Sequence, residues 1–559
     1  MTEQVKSAGE RPLWTSLNAE LQNPPLHNLP SSLRTSDEED LGTPFLLIPL
    51  ATIPNVLELH PEPRHIFRLW QIFVENANPL IKIVHVPTLQ QRILETSWTL
   101  ETISKQTEAL MFAIYLLAVA SLSPADCQVH FGDDKATLLK RYRNGALQSL
   151  MAADLFSTRE LEVLQAFVLF LLAAPNSETS TTLMAVAVRL AHKMGLHNDK
   201  TSFKATFFEK EMRTRLWWQI RCYSTRFLQA GTEDMGNVRM PLNLNDSELH
   251  PAMVTCPVEH VGATEMMYCL LKYEGARWQY MGRTANKVPT VKSSSTQAMI
   301  LSDQAIRDLE RTFEEKYLLF CDSRIPLHFL SLTMSRLAIC RMRFMAYHPR
   351  GRADSGARMA PEERDVLFDQ SVRLLELQRE SRKTSFSSQL LTHMRRSHLE
   401  ALIYMLYDLR GRPKGPRVVT AWRQVALFYE QHRESMDETE NSFLDALGDL
   451  TLEAWQVRWK ELVETQGGGG RVDDITPWYI KELQARHTKE SMPINSASDD
   501  TITEALTVDL AYTTRLQLNV DATGQSRGEI DSEGLFLEMP VNFIDYPYDT
   551  DYWNEFWQT

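Results

Sequence analysis

The chain holds 559 residues, 43 % of them apolar and 23 % charged, with a net charge of −13. That length exceeds one ordinary core, and that composition excludes a disordered, collagen-like or coiled-coil chain. The longest apolar run, Ala109–Leu122, falls short of the ~18 residues that span a bilayer, so it predicts a buried core helix and no membrane anchor.

Charge is unevenly placed. Residues 1–60 carry eight acids against three bases, residues 528–559 carry eight acids and no Lys or Arg, and residues 61–527 carry 56 of each sign. A chain that grips nucleic acid through phosphates needs a concentrated basic face. None is visible along the sequence, so DNA binding by this chain alone is not expected. The first thirty residues lack the basic and apolar regions of a secretory leader, and six scattered cysteines fit a reducing compartment.

Residues 1–57, with scattered prolines and an acidic knot at Asp37–Asp40, predict a mostly disordered lead-in. After Pro61 and Pro63, the apolar positions Ile66, Leu69, Trp70 and Phe73 recur at helical spacing. Helices are then expected over 108–121, 135–153, 157–173, 181–194 and 209–226. An irregular stretch at 237–254 interrupts them. They resume over 264–280, 302–320, 327–347, 361–382, 388–409, 418–432 and 441–464. Alternating strand patterns are nearly absent, so the predicted class is all-α, a large multi-helix domain over 58–465. Gly467–Gly470 opens a linker over 466–527, in which 477–486 forms one possible short helix.

Motifs that would carry catalysis are not found. The cysteines stand at 127, 222, 256, 269, 321 and 340, and the closest pair is thirteen residues apart. A binuclear zinc cluster needs thiolates two and six residues apart, so these read as separate core thiols. The histidine pairs His60/His65, His192/His197 and His393/His398 are five apart, a spacing that separates them on a helix, and no His-Glu-x-x-His occurs. There is no Gly-x-Ser-x-Gly elbow, and Gly467–Gly470 neither follows a strand nor precedes Gly-Lys-Ser/Thr. The expectation is therefore no enzyme, no catalytic residues and no cofactor or metal bound by this chain. The basic run Arg410, Arg412, Lys414 and Arg417 reads as an exposed interhelical loop, with an import signal as the alternative. Arg336 and Arg343, seven apart, would share one helix face and could line a polar site between helices.

From His60 onward the residues resemble a known family. The series His60-Pro61-Glu62-Pro63, Leu69-Trp70, Phe73, Asn76, Pro79-Leu80, Lys82 and His85-Val86-Pro87-Thr88 is similar to the opening of the fungal-specific transcription factor domain. Arg189-Leu190-Ala191, Met194-Gly195-Leu196-His197 and Asp199 continue the likeness. Its strongest part is Glu211-Met212-Arg213-Thr214-Arg215-Leu216-Trp217-Trp218, and Pro241-Leu242-Asn243-Leu244-Asn245-Asp246 resembles the family's Pro-x-Asn-x-Asp-Asp turn. The signature residues Arg189, Gly195, His197, Glu211, Arg213, Arg215, Trp217 and Trp218 read as scaffold. Glu211 and Arg215 form a favourable i,i+4 pair, and Gly195 fits a helix end that needs positive φ.

The resemblance implies a nuclear transcriptional regulator of the zinc-cluster class, controlling a metabolic or biosynthetic gene set. The family's N-terminal zinc cluster has no counterpart here, since residues 1–57 contain no cysteine. DNA contact is therefore expected through a protein partner, either a DNA-binding regulator or a homo- or heterodimer. A cluster encoded upstream of Met1, which would bring zinc, is the variant reading. A small-molecule effector, or an all-α binding protein or enzyme with a pocket between helices, is the alternative.

The segment 528–559 interleaves acids with aromatics, among them Phe536, Phe543, Tyr546, Tyr548, Trp553, Phe556 and Trp557. Acids keep such a segment solvated while its rings stay available to a partner's groove, so it reads as an activation tail that recruits transcription machinery. The competing reading is a tail folded back onto the helical body.

Overall fold

The computed structural model describes residues 55–174, 178–199, 205–227, 236–285, 295–349, 359–383, 386, 396–433, 442–465 and 476–490, with Leu17 and Leu21. Every regular element among them is helical, and none is a strand. The chain enters through α1 (Val56–Leu59), α2 (Pro63–Ile72), a π-helical turn (Phe73–Ala77), α3 (Asn78–Ile81) and α4 (Val86–Thr96). Next come α5 (Lys105–Ala120), α6 (Pro124–Phe131), α7 (Lys135–Ala152), α8 (Leu161–Leu172), α9 (Glu178–Lys193) and α10 (Phe207–Phe227). The second half holds α11 (Met267–Ala285), α12 (Ser295–Phe313), α13 (Pro326–Tyr347), α14 (Pro361–Ser381), α15 (Arg396–Leu409), α16 (Val418–Gln431) and α17 (Ser442–Thr465). A last helix, α18 (Trp478–Glu490), belongs to a second unit.

Local chemistry explains where these helices start. Prolines stand in the first turns of α2, α3, α4, α6, α13 and α14, where the missing N–H costs nothing. Ser104 and Asp134 cap α5 and α7 through the backbone N–H of Thr107 and Thr137. Ser123 and Asp126 form a reciprocal capping box on α6.

The apolar run read as a core helix is α5, buried from Ala109 to Ala120. It packs between α7 and α8, and α13, α14 and α15 pack in series. One continuous apolar core runs from Leu59 to Tyr404. At the α5–α7 contact a Cβ added to Gly145 would lie 2.4 Å from the Phe112 ring. Glycine lets the helices approach this closely.

Several boundaries differ from expectation. α4 and α6 were not signalled by apolar spacing, and their starts are set by proline and capping groups instead. The helix expected over 302–320 begins at Ser295, leaves α-geometry at Glu314 and finishes in a π-helical turn over Glu314–Leu318. Of the helix expected from 388, residues 388–395 lie outside the described residues. The lead-in 1–57 does so too, apart from Leu17, Leu21 and residues 55–57, and only 476–490 of the 466–527 linker is described.

A candidate functional site around Asp246

The stretch between α10 and α11 is irregular in sequence, yet its polar residues fix it tightly. Asn243 accepts the Thr264 hydroxyl at 2.6 Å, and its side-chain amide donates to the carbonyls of His260 (2.9 Å) and Gly262 (2.8 Å). Asn245 and Glu248 form a capping box around one turn of 3-10 helix, Asp246–Glu248. This delivers the Asp246 carboxylate into the body beside α10.

There it meets two buried cations. Arg215 Nη1 lies 2.7 Å from Asp246 Oδ1, and Lys82 Nζ lies 2.6 Å from Oδ2. Lys82 also reaches Glu265 Oε2 at 2.7 Å. Arg215 Nε lies 3.4 Å from Glu211 Oε1, one turn earlier on α10, and Glu211 Oε2 receives Arg239 Nη2 at 2.6 Å. The backbone N–H of Leu242 donates to Glu211 Oε1 at 3.1 Å, so the same carboxylate holds the start of the turn. Lys82 itself ends α3 in the left-handed region (φ 49°), a strained conformation for a side chain with a Cβ.

Three cations face three carboxylates, so the network is neutral as a whole. Burial pushes the Asp246 carboxyl up, but Lys82 and Arg215 outweigh it and hold its pKa at about 2. Burial likewise pulls Arg215 down, and Asp246 and Glu211 more than reverse it. His85 is lowered chiefly by burial, which keeps the ring neutral. Neutral His85 donates Nε2–H to the Asp246 carbonyl at 2.9 Å, leaving Nδ1 to accept from the Thr88 hydroxyl. With its charges matched internally, the arrangement clamps α3, α4, α10 and the 239–265 segment to one another. Breaking such a pair strands a charge away from water.

The other signature residues surround this clamp without joining it. Gly195 ends α9 at φ 71°, where Leu196 N donates to Ala191 O and Gly195 N to His192 O. Arg213 donates to the Met194 carbonyl at 2.6 Å, across the same helix end. Because α9 stops between them, His192 and His197 stack with ring centroids 4.5 Å apart, both beside Trp217. The five-residue spacing had separated them, a correction owed to the helix terminus. Trp217 is fully buried under the Arg221 guanidinium, and Trp218 Nε1 donates to the Arg239 carbonyl at 2.7 Å. Arg189 is exposed on α9.

The basic run is occupied within the chain. Arg410 pairs with Glu453, Arg412 with Asp365 and Asp408, Lys414 with Glu461, and Arg417 with Asp369 and Glu376. These pairs tie the loop to α14 and α17. Arg343 pairs with Glu310 on α12 while Arg336 is exposed, so the two do not line a common site. The activation-tail residues Phe536, Phe543, Tyr546, Tyr548, Trp553, Phe556 and Trp557 lie outside the described residues, as does His393. Lys82, His85, Arg239, Asp246 and Glu265 were not singled out as site residues. Lys82, His85 and Asp246 do lie within the quoted family pattern, the only signal that could have found them. Among the described residues no three His, Cys, Asp or Glu side chains are grouped to hold a metal, and no helix is long and apolar enough to cross a membrane.

The hallmark residues of this all-helical body stand on α9, on α10 and in the turns that follow them. The family model for the fungal specific transcription factor domain matches residues 70–223, from Trp70 on α2 to Tyr223 on α10. The chain is 33 % identical over 469 residues to the aurofusarin cluster transcription factor aurR2 of Gibberella zeae, covering 82 % of this chain and 70 % of that one. It is 31 % identical to the transcriptional regulator AacuB of Aspergillus aculeatus, covering 75 % of this chain and 58 % of that one. It is also 31 % identical to the pyriculol/pyriculariol biosynthesis cluster transcription factor 1 of Pyricularia oryzae, covering 77 % and 59 % respectively. The chain belongs to this family of fungal transcriptional regulators.

Proposed function

We propose that the chain is a nuclear, non-catalytic regulator of a biosynthetic gene cluster that reaches DNA through a protein partner. The helical body would be the platform and the 528–559 tail the segment that engages transcription machinery. The relatives' names, two of which specify biosynthetic clusters, support the gene-set part. The observation that carries the partner part is where the thiols stand. The six cysteines occupy separate places, on α6, α10, the 254–261 loop, α11, the turn after the Glu314–Leu318 π-helix and α13, and four of them are buried in the core. No two of these are spaced to share zinc as a binuclear finger does.

The test is twofold. Fused to a heterologous DNA-binding module, the full chain is expected to drive a reporter, and removal of residues 528–559 to abolish that activity; undiminished activity removes the tail's role. Purified alone, it is expected to leave a promoter fragment unshifted at roughly 0.15 M salt. Nanomolar binding under those conditions overturns the partner reading.

A further inference from the structure

The segment that delivers Asp246 continues into an apolar ridge with an acidic margin. Val254, Val258 and Val261 are 87 %, 88 % and 79 % exposed, and Leu319 and Phe320 are 64 % and 60 % exposed. The two groups adjoin: the Gly262 N–H donates to the Lys316 carbonyl at 3.1 Å, and a Cβ on Gly262 would lie 3.1 Å from the Phe320 ring. Together they present on the order of 600 Å², the upper end for a monomer's largest apolar patch and a size that marks partner sites.

The charges along this ridge do not cancel. Each base there is matched within the chain: Lys316 with Glu274 at 2.9 Å, Arg324 with Asp322 at 2.6 Å and His260 with Glu248 at 2.6 Å. Three exposed acids, Glu259, Glu314 and Glu315, have no ion pair among the described residues, and the segment 251–261 holds no lysine or arginine. Glu259 and Glu314 lie against the ridge. Burial, then Glu274 and Glu259, push the Tyr317 hydroxyl up, and burial, then Glu314, push the Cys321 thiol up to about 11. The surface is also preset. Glu259 Oε1 accepts the Asn243 N–H at 3.0 Å, and the Asn243 amide ties down the carbonyls of His260 and Gly262. A fixed surface loses little freedom when covered.

We propose that this ridge seats an apolar–basic segment of the DNA-contacting partner. Aliphatic or aromatic side chains of that segment cover the valines and Phe320, and its lysines or arginines meet Glu259, Glu314 and Glu315. The assignment rests on the partner reading above and names the surface it uses. Charge selects the occupant. A second copy docked about a two-fold axis would set three unpaired acids toward their own images. The 528–559 tail, with eight acids and no Lys or Arg, meets like charge there, and so does nucleic acid. A protein that grips phosphates carries the clustered cations that complement this margin.

The probe is a fluorescent helical peptide of leucine and lysine about four turns long, with its leucine–glutamate counterpart as control. The full chain is expected to bind the first with a micromolar Kd at roughly 0.15 M salt and to leave the second free. E259Q/E314K/E315K, which keeps an acceptor for the Asn243 N–H, is expected to raise that Kd about tenfold, and so is V258S/V261S, with melting unchanged in both. E95K/E101K/E160Q makes the same charge change at exposed acids on α4, in the turn after it and before α8, and is expected to leave the Kd within about twofold. In cells, E259Q/E314K/E315K is expected to lower promoter occupancy about tenfold while the DNA-tethered reporter keeps its activity. Equal binding of the two peptides, an equal loss in E95K/E101K/E160Q, or undiminished promoter occupancy overturns the proposal. So does a photo-crosslinker at Val258 that joins two copies or captures residues of 528–559. A promoter shifted by the purified chain defeats the partner reading, whereas an unshifted promoter with a failed peptide assay defeats the ridge alone.

Discussion

Replacing Asp246 by Asn keeps the side chain's shape and removes the charge that Lys82 and Arg215 share. Holding the Asp246 carboxyl at about 2 instead of its ordinary 3.8 corresponds to about 2 kcal/mol favouring the ionised folded state. Arg215 is buried with its Nη2 already lacking a hydrogen-bond partner among the described residues, so losing Asp246 leaves that guanidinium still less satisfied. Stranding one member of a buried pair costs about 3–5 kcal/mol, so Asp246→Asn is expected to destabilise the body by about 2–5 kcal/mol near neutral pH. Glu265→Gln removes the other carboxylate from the same lysine, but Glu265 is half-exposed and its loss is expected to cost under ~1 kcal/mol. Denaturant unfolding followed by circular dichroism measures both variants. The depressed pKa also fixes a pH signature. The contribution is complete above the unfolded carboxyl's ~3.9 and is lost as pH falls through about 2, so the gap between wild type and Asp246→Asn narrows below pH ~4. Equal stabilities near neutrality, or an Asp246→Asn effect no larger than that of Glu265→Gln, would refute the reasoning.

Other expectations follow from single contacts. Gly145→Ala drives a Cβ into the Phe112 ring and is expected to cost about 1–3 kcal/mol, with partial rescue by Phe112→Leu in thermal melts. Gly236→Ala meets both a positive φ of 72° and the His197 carbonyl 2.1 Å away, so its melting temperature is expected to fall more than that of Gly275→Ala, where nothing lies within 4 Å. Replacing Arg410, Arg412, Lys414 and Arg417 by Gln is expected to lower the melting temperature through lost ties to α14 and α17, while a fluorescent fusion still accumulates in the nucleus. Cytoplasmic retention with an unchanged melt would instead make the run an import signal. His432, lowered to about 4 by burial and by Arg382, is expected to favour folding fully above pH ~6.5 and progressively less down to about 4, at ~1.4 kcal/mol per pH unit. His432→Phe is expected to flatten that part of the pH–stability curve.

Apolar periodicity was enough to find most of the helices, because long amphipathic or wholly apolar segments such as α5 and α8 declare themselves at 3.6-residue spacing. It failed at α4 and α6, whose starts are written in Pro87 and in the Ser123–Asp126 box rather than in apolar stripes. The Glu211–Arg215 pair was legible as a helix neighbour. Its third member was not, because Asp246 lies 31 residues further on and arrives only when Asn243 has shaped the turn. Lys82 was harder still. A lysine in sequence predicts a solvated cation, and only its left-handed backbone and two opposing carboxylates explain its burial. His192 and His197 show the same limit in reverse, since linear spacing kept them apart and a glycine terminus brought them face to face.

The clamp around Asp246 also shapes how this regulator can be studied. Ions in solution weaken attractions that run through water but hardly reach a pair sealed from it. Raising ionic strength will therefore loosen phosphate contacts in any promoter assembly containing this chain while leaving its folded body intact. The slope of binding against salt then reports the grip on DNA alone, and by its steepness counts the phosphates that the assembly holds.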